Sequence, residues 1–176
     1  MNEMSKLVVI KNLIRYIQEC SAHAHLKSMQ PAYRCLLWGK SIVEWNIATG
    51  EVDKMLATGK SEFPPLQHKL DAILAEEKSL KFILLTDGNY SSDSVAAFQN
   101  WRNDKEGVAI RTIAIGADSN NLKLSNLSTN GIVFSPEDMS AAIESLIFNP
   151  YNSETFPERI PKVLINSAKK SQGKSG

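Results

Sequence analysis

The 176 residues are most informative at first for what they lack. Cys20 and Cys35 are the only cysteines, and Met1–Asn12 shows no signal-peptide pattern. Two thiols without an export signal predict reduced cysteines and a cytoplasmic protein, not a disulfide scaffold. No apolar run approaches the roughly 18 residues of a membrane-spanning helix, so no membrane partner is expected. Charge of one sign is missing too: the formal net charge is +1, so composition does not indicate nucleic acid. Nucleophile elbows and dinucleotide loops are absent. The Gly59-Lys60-Ser61 triplet has Lys54 where a phosphate loop needs glycine, and no strand precedes it. Cys20, His23 and His25 lie close together without a Cys-x-x-Cys pair, which reads as a thiol with surface histidines and not as a zinc site. No paired acid, base or nucleophile stands out, so the chain is expected not to be an enzyme. Trp38, Trp45 and Trp101 read as core or sheet-face residues. Lys169, Lys170 and Lys174 read as a solvated tail.

What is present centres on Lys81–Asn89, KFILLTDGN. Phe82 to Thr86 run without a polar break and stop at Asp87-Gly88. Such a run bounded by turn residues predicts a parallel strand covered on both faces. Asp-Gly-Asn turns the chain, and Ser91, Ser92 and Asp93 offer caps for a following helix. Ligands of open α/β sheets sit beyond the carboxyl ends of the strands, which is where Asp87 falls. Asp87 can equally serve only to cap its turn.

Around this strand the pattern alternates. Met4 to about His25 carries Leu7, Ile10, Leu13, Ile14, Ile17 and Cys20 at helical spacing, with Asn2 or Ser5 as a cap. Tyr33–Gly39 and Ser41–Asn46 predict a hairpin turning near Gly39-Lys40. Ala48–Pro65 reads as a loop. A helix with Pro65 in its first turn and a stripe of Leu66, Leu70, Ile73 and Leu74 follows. After the Asp87 strand come a helix over 92–104 with Val95, Phe98 and Trp101 inward, a buried strand over Val108–Gly116, and a short helix over 121–128. A brief strand over 132–134 comes next. A last helix starts at Ser135-Pro136-Glu137-Asp138, with Ser135 as its cap and Met139, Ile143, Leu146 and Ile147 on its inner face. From Asn149 the pattern lapses, except for the apolar island Lys162–Asn166, KVLIN. The alternation predicts an α/β class: a three-layer, Rossmann-like, mostly parallel sheet with one antiparallel edge hairpin and helices on both faces. One domain over 1–148 is expected, with 149–176 as an irregular extension.

The order FILLTDG, then VAIRTIAIGAD, a short leucine helix and GIVFSPEDMSAAIESLI resembles the von Willebrand factor A (vWA) family over about Met1–Ile147. The resemblance implies a Rossmann-like fold and a protein-interaction role, as adaptor or scaffold, in a prokaryotic stress or defence complex. It also implies a metal-ion-dependent adhesion site (MIDAS) built from an Asp-x-Ser-x-Ser loop, a threonine loop and the aspartate of TDG. Only the last, Asp87, is clearly here. No Asp-x-Ser-x-Ser occurs, and Phe63-Pro64-Pro65-Leu66 stands where a Gly-Thr loop is expected. Thr58 and Ser61 lie near it at the wrong offset, leaving Asp87, Thr58 and Ser61 as the candidate metal residues. One carboxylate without partner loops does not meet the octahedral oxygen demand of Mg²⁺. No cofactor is therefore expected unless Mg²⁺ or Mn²⁺ is held by residues from elsewhere, in a cation-dependent ligand-binding domain completed outside this chain. The candidate partner face is Asp87, Asn89, Tyr90, Ser91, Ser61 and Asp118.

The resemblance has a structural consequence. The family's first strand lies mid-sheet, and none precedes the first helix here. Two strands would then face each other with unpaired N–H and C=O rows, at about 1–3 kcal/mol for each buried group. The gap is expected to be filled by Lys162–Asn166 or by a strand from a partner chain. An upstream segment beyond Met1 is a further source. Direct pairing of Leu36 with Leu84 would refute the expectation.

Overall fold

The computed structural model describes residues 3–22, 34–56 and 59–148. Among the described residues are five helices and five strands, in the order α1 Glu3–Ala22, β1 Cys35–Trp38, β2 Ile42–Trp45, α2 Phe63–Glu76, β3 Leu80–Thr86, α3 Ser92–Asn103, β4 Val108–Ala114, α4 Asn121–Leu127, β5 Val133–Phe134 and α5 Met139–Phe148. Short 3-10 turns at Val52–Lys54 and Pro136–Asp138 join them. The α/β class and the mixed pairing are as the pattern predicts. β3, β4 and β5 form a parallel sheet in that order, with Leu84 opposite Thr112. β1 and β2 form an antiparallel hairpin, with Leu36 opposite Glu44.

β3 and β4 are apolar on both faces because both faces are covered. Phe82 and Leu84 join Phe63, Leu66 and Leu70 of α2 and Val95 and Phe98 of α3 in one core. Ile83 and Leu85 turn the other way, to Leu13 of α1, Ile113 and Ile115 of β4, and Met139 and Ala142 of α5. A third cluster joins Ile14 of α1 to Val52, Met55, Cys35, Leu37 and Trp45 on the hairpin side. α1 thus packs on both sheets from one face, and α2 touches both from the other. Among the described residues no backbone pairing joins β1 to β3, so Leu36 and Leu84 are not on paired strands.

Local departures have local causes. α2 starts at Phe63, not at Pro65: both prolines fit its first positions, where a missing N–H costs nothing, and Phe63 is buried against the core. Ser135 does not cap α5. Its hydroxyl donates to the Asp138 carboxylate at 2.8 Å, and a 3-10 turn intervenes before the helix. Ile147 is exposed, and Ala142 is buried on the inner face with Met139 and Leu146 instead. Ser5 lies inside α1, whereas Asn2, His23, His25, Tyr33 and the Lys162–Asn166 island fall outside the described residues. β4 buries a cation in mid-strand. Arg111 donates from Nε to the Ser145 hydroxyl at 2.7 Å and from a terminal nitrogen to the Thr129 hydroxyl at 2.9 Å. These bonds tie β4 to α5 and to the loop after α4, and burial holds the guanidinium below its ordinary pKa.

Candidate strand-end site

The carboxyl ends of β3 and β4 are stitched together by backbone. The Thr86 carbonyl accepts from the Ile115 N–H at 3.0 Å, and the Asp87 carbonyl accepts from the Asn120 N–H at 2.7 Å. Gly88 has φ +72°, and a Cβ there would stand 2.9 Å from buried Leu124, so glycine is needed for the turn. The loop 116–120 is thereby folded over the end of β3. It brings Asp118 to the same place as Asp87, although 31 residues separate them.

Between the two carboxylates sits the ammonium of Lys6, from the first turns of α1. Its Nζ donates to Asp87 Oδ2 at 2.8 Å and to Asp118 Oδ2 at 2.8 Å. The lysine side chain is 16% exposed against 27% for Asp87 and 46% for Asp118, so the charge pair is shielded mainly on the lysine side. The other Asp87 oxygen, Oδ1, accepts the Asn89 N–H at 3.0 Å, which closes an Asx turn. One Asp87 oxygen thus shapes the turn, as a capping aspartate does, and the other accepts from the Lys6 ammonium.

The electrostatics follow the geometry. Partial burial pushes the Asp87 carboxyl up, but the Lys6 ammonium and the Asn89 donors outweigh it and hold it below the ordinary carboxylate value. The Lys6 hydrogen bond draws Asp118 down as well. The bonds to Asp118 and then Asp87 raise Lys6 above the ordinary lysine value, against a smaller effect of burial. Gly116 makes room for this arrangement: φ is +99°, and a Cβ would meet Asp118 Oδ1 at 2.8 Å and Lys6 Cε at 2.9 Å.

The remaining candidates divide. Tyr90 is half-buried, with its ring against Trp38 and Phe63 at centroid distances of 5.6 and 4.7 Å. Its hydroxyl shares a hydrogen bond with Thr86 at 2.6 Å, and burial pushes its pKa up to about 12. Its carbonyl accepts from Lys123. Ser61 donates to the Trp38 carbonyl at 3.0 Å, on the Tyr90 side of the site and not in the Asp87–Asp118 pair. Ser91 caps α3, accepting the Ser94 N–H at 3.1 Å. Asn89 is exposed. Thr58 lies outside the described residues. Sequence reasoning missed Lys6, whose place on a helix looks like that of any surface lysine. Its only sequence signal is position: it is in the first turns of the helix that opens the fold, at the end where Asp87 must lie.

Divalent-cation chemistry would need more oxygen ligands than these. Among the described residues no group of three or more His, Cys, Asp or Glu side chains is placed to hold a metal ion. Asp87 and Asp118 already share one positive charge.

No protein-family model matches this chain, and no curated protein is similar enough in sequence to match it. Solved structures do match. Two structures of proximal thread matrix protein 1 (PTMP1) from the mussel byssus, one of them a second crystal form, are 16% identical with TM-score 0.53. They cover 82% of this chain and 42% and 43% of theirs. A third, of the same protein with a zinc-occupied MIDAS motif, is 15% identical with TM-score 0.53 and covers 82% of this chain and 43% of that one. This chain therefore spans less than half the length of those neighbours. At such identity the likeness concerns fold, and the fold is vWA-like.

Proposed function

We propose that this chain is a non-catalytic, vWA-like protein-interaction module, an adaptor or scaffold subunit whose strand-end site carries its own cation. One observation supports the reading: the Lys6 ammonium bridges Asp87 and Asp118 at 2.8 Å each. A divalent ion and a lysine ammonium compete for the same carboxylate oxygens. A tethered ammonium is always present at high effective concentration, and two carboxylates give a divalent ion too few ligands to displace it. On this reading the adhesion site is degenerate, and the face around Asn89 and Asp118 docks a protein without added metal. Its setting in a prokaryotic stress or defence complex is what the family resemblance implies, and its place in the cytoplasm is the expectation from the sequence.

Two measurements test this together. Calorimetric titration of the full chain with Mg²⁺ or Mn²⁺ is expected to give no saturable heat. Partners captured from the native host are expected to stay bound in chelator and to be lost on Asp118→Arg. Saturable heat that disappears in Asp87→Ala, or capture that chelator abolishes, would refute the proposal in favour of a cation-dependent domain.

A further inference from the structure

β3 exposes one edge. Leu80 N–H donates to Gly107, and the Thr86 carbonyl accepts from Ile115, so even-numbered β3 residues direct their backbone groups towards β4. In a parallel strand a residue's N–H and C=O point to the same side, and neighbours alternate. Lys81, Ile83 and Leu85 therefore aim three N–H and three C=O groups away from β4, towards the hairpin. β1 pairs with β2 alone among the described residues. Trp38 at the end of β1 stacks on Tyr90 just after β3, at 5.6 Å, so the two strands end on the same side of the molecule. The space between them is flanked by α1 on one face and α2 on the other, both with apolar residues reaching each sheet. A strand that pairs there parallel to β3, as β4 does on the other edge, is covered on both faces and must be apolar on both.

We propose that Lys162–Asn166 of this same chain, KVLIN, fills this slot as a central strand. Val163, Leu164 and Ile165 are apolar in succession, two of them β-branched, as a strand covered on both faces requires. Pro161 stands just before them, where proline is tolerated at the start of a strand. The route also fits. α5 follows the end of β5 and packs on β4 and β3, so it returns towards the amino ends of the strands. Its last residue, Phe148, thus delivers the chain where a parallel strand must begin. The 13 residues from 149 to 161 reach about 43 Å at ~3.3 Å each, more than the width of a three-stranded sheet. The proposal stands on the open edge and not on the Lys6 site, so either can fail without the other.

Nuclear magnetic resonance on the full chain tests it. Cross-strand contacts from the amides of 163–165 to Ile83 and Leu85 are expected in the unmodified protein. Leu164→Pro is expected to speed hydrogen exchange at Ile83 and Leu85 on the order of 100-fold, while Phe82 and Leu84, bonded to β4, keep their protection. That retained protection separates loss of the slot strand from loss of the fold. Absent contacts in the unmodified chain would overturn the proposal, as would equal protection of Ile83 and Leu85 in both chains. Protection that grows with protein concentration would also overturn it, by assigning the slot to a second copy.

Discussion

One side chain, Lys6, determines how the strand-end site behaves, and pH exposes its role. Asp87 is depressed, so its contribution to stability is present above the ordinary carboxylate pKa and is lost as pH falls through its lower folded value. Lys6 is raised, so its contribution is present below the ordinary lysine pKa and is lost as pH rises through its higher folded value. Lys6→Met should therefore flatten both limbs of stability against pH, below about 4 and above about 10.5. At neutral pH the loss should be on the order of 1 kcal/mol, discounted because the site is partly wet. Urea unfolding across pH checks this; unchanged limbs would mean that the bridge has no energetic weight. Gly116→Ala should act at the same place from the backbone. Its positive φ and its contacts with Lys6 and Asp118 predict a loss of about 1–3 kcal/mol. In a Lys6→Ala background the loss should shrink, since the Lys6 Cδ and Cε that a Cβ would meet are gone, and a double-mutant cycle measures the difference.

Among the elements, signals that depend on near neighbours were legible and signals that depend on distant ones were not. β3, α3 and β4 follow from apolar runs and from the Asp87-Gly88 turn, whose cause is local. The start of α2 is two residues earlier than the prolines suggest, because Phe63 gains burial against Phe98 and Tyr90, far away in sequence. Arg111 sits in mid-strand among buried residues, and partners far away in sequence, Ser145 and Thr129 among them, satisfy it. Lys6 and Asp118 meet across 112 residues, and no periodicity encodes such a meeting. Ser91 is a case where element and site compete for one residue. Its hydroxyl caps α3, so Ser91→Ala should lower stability by about 1 kcal/mol, and Ser91→Asp should restore it. Thermal unfolding of the two variants checks this. If Ser91→Ala left stability unchanged but weakened partner capture, the residue would belong to the docking face instead.

For the molecule as a whole, the question is what holds the hairpin to the parallel sheet. Helices do so on both faces, and at the strand ends an aromatic chain does so directly: Trp38 on Phe63 and Tyr90, Phe63 on Phe98, and Phe98 on Trp101. Trp38 also donates from its indole to the Glu62 carbonyl at 2.6 Å. Removing it should loosen the hairpin and admit water to Tyr90 at once. Burial is the main reason that Tyr90 titrates at about 12. A phenol whose folded pKa is raised stabilises the fold below its ordinary value near 10, and that stability is lost as pH climbs from there to about 12. At about 1.4 kcal/mol per unit, the alkaline loss traceable to Tyr90 should be about 3 kcal/mol. Tyr90→Phe should abolish this part of the alkaline slope. Trp38→Ala should lower neutral stability by about 1–3 kcal/mol, since the ring is only partly buried, and return the Tyr90 titration towards 10. Absorbance titration of tyrosinate, with Tyr90→Phe subtracted, reads the second effect independently of the first. A Tyr90 that still titrates near 12 without Trp38 would mean that α2 and α3 shield it alone, and that the hairpin is held to the sheet by its helices rather than by the aromatic chain.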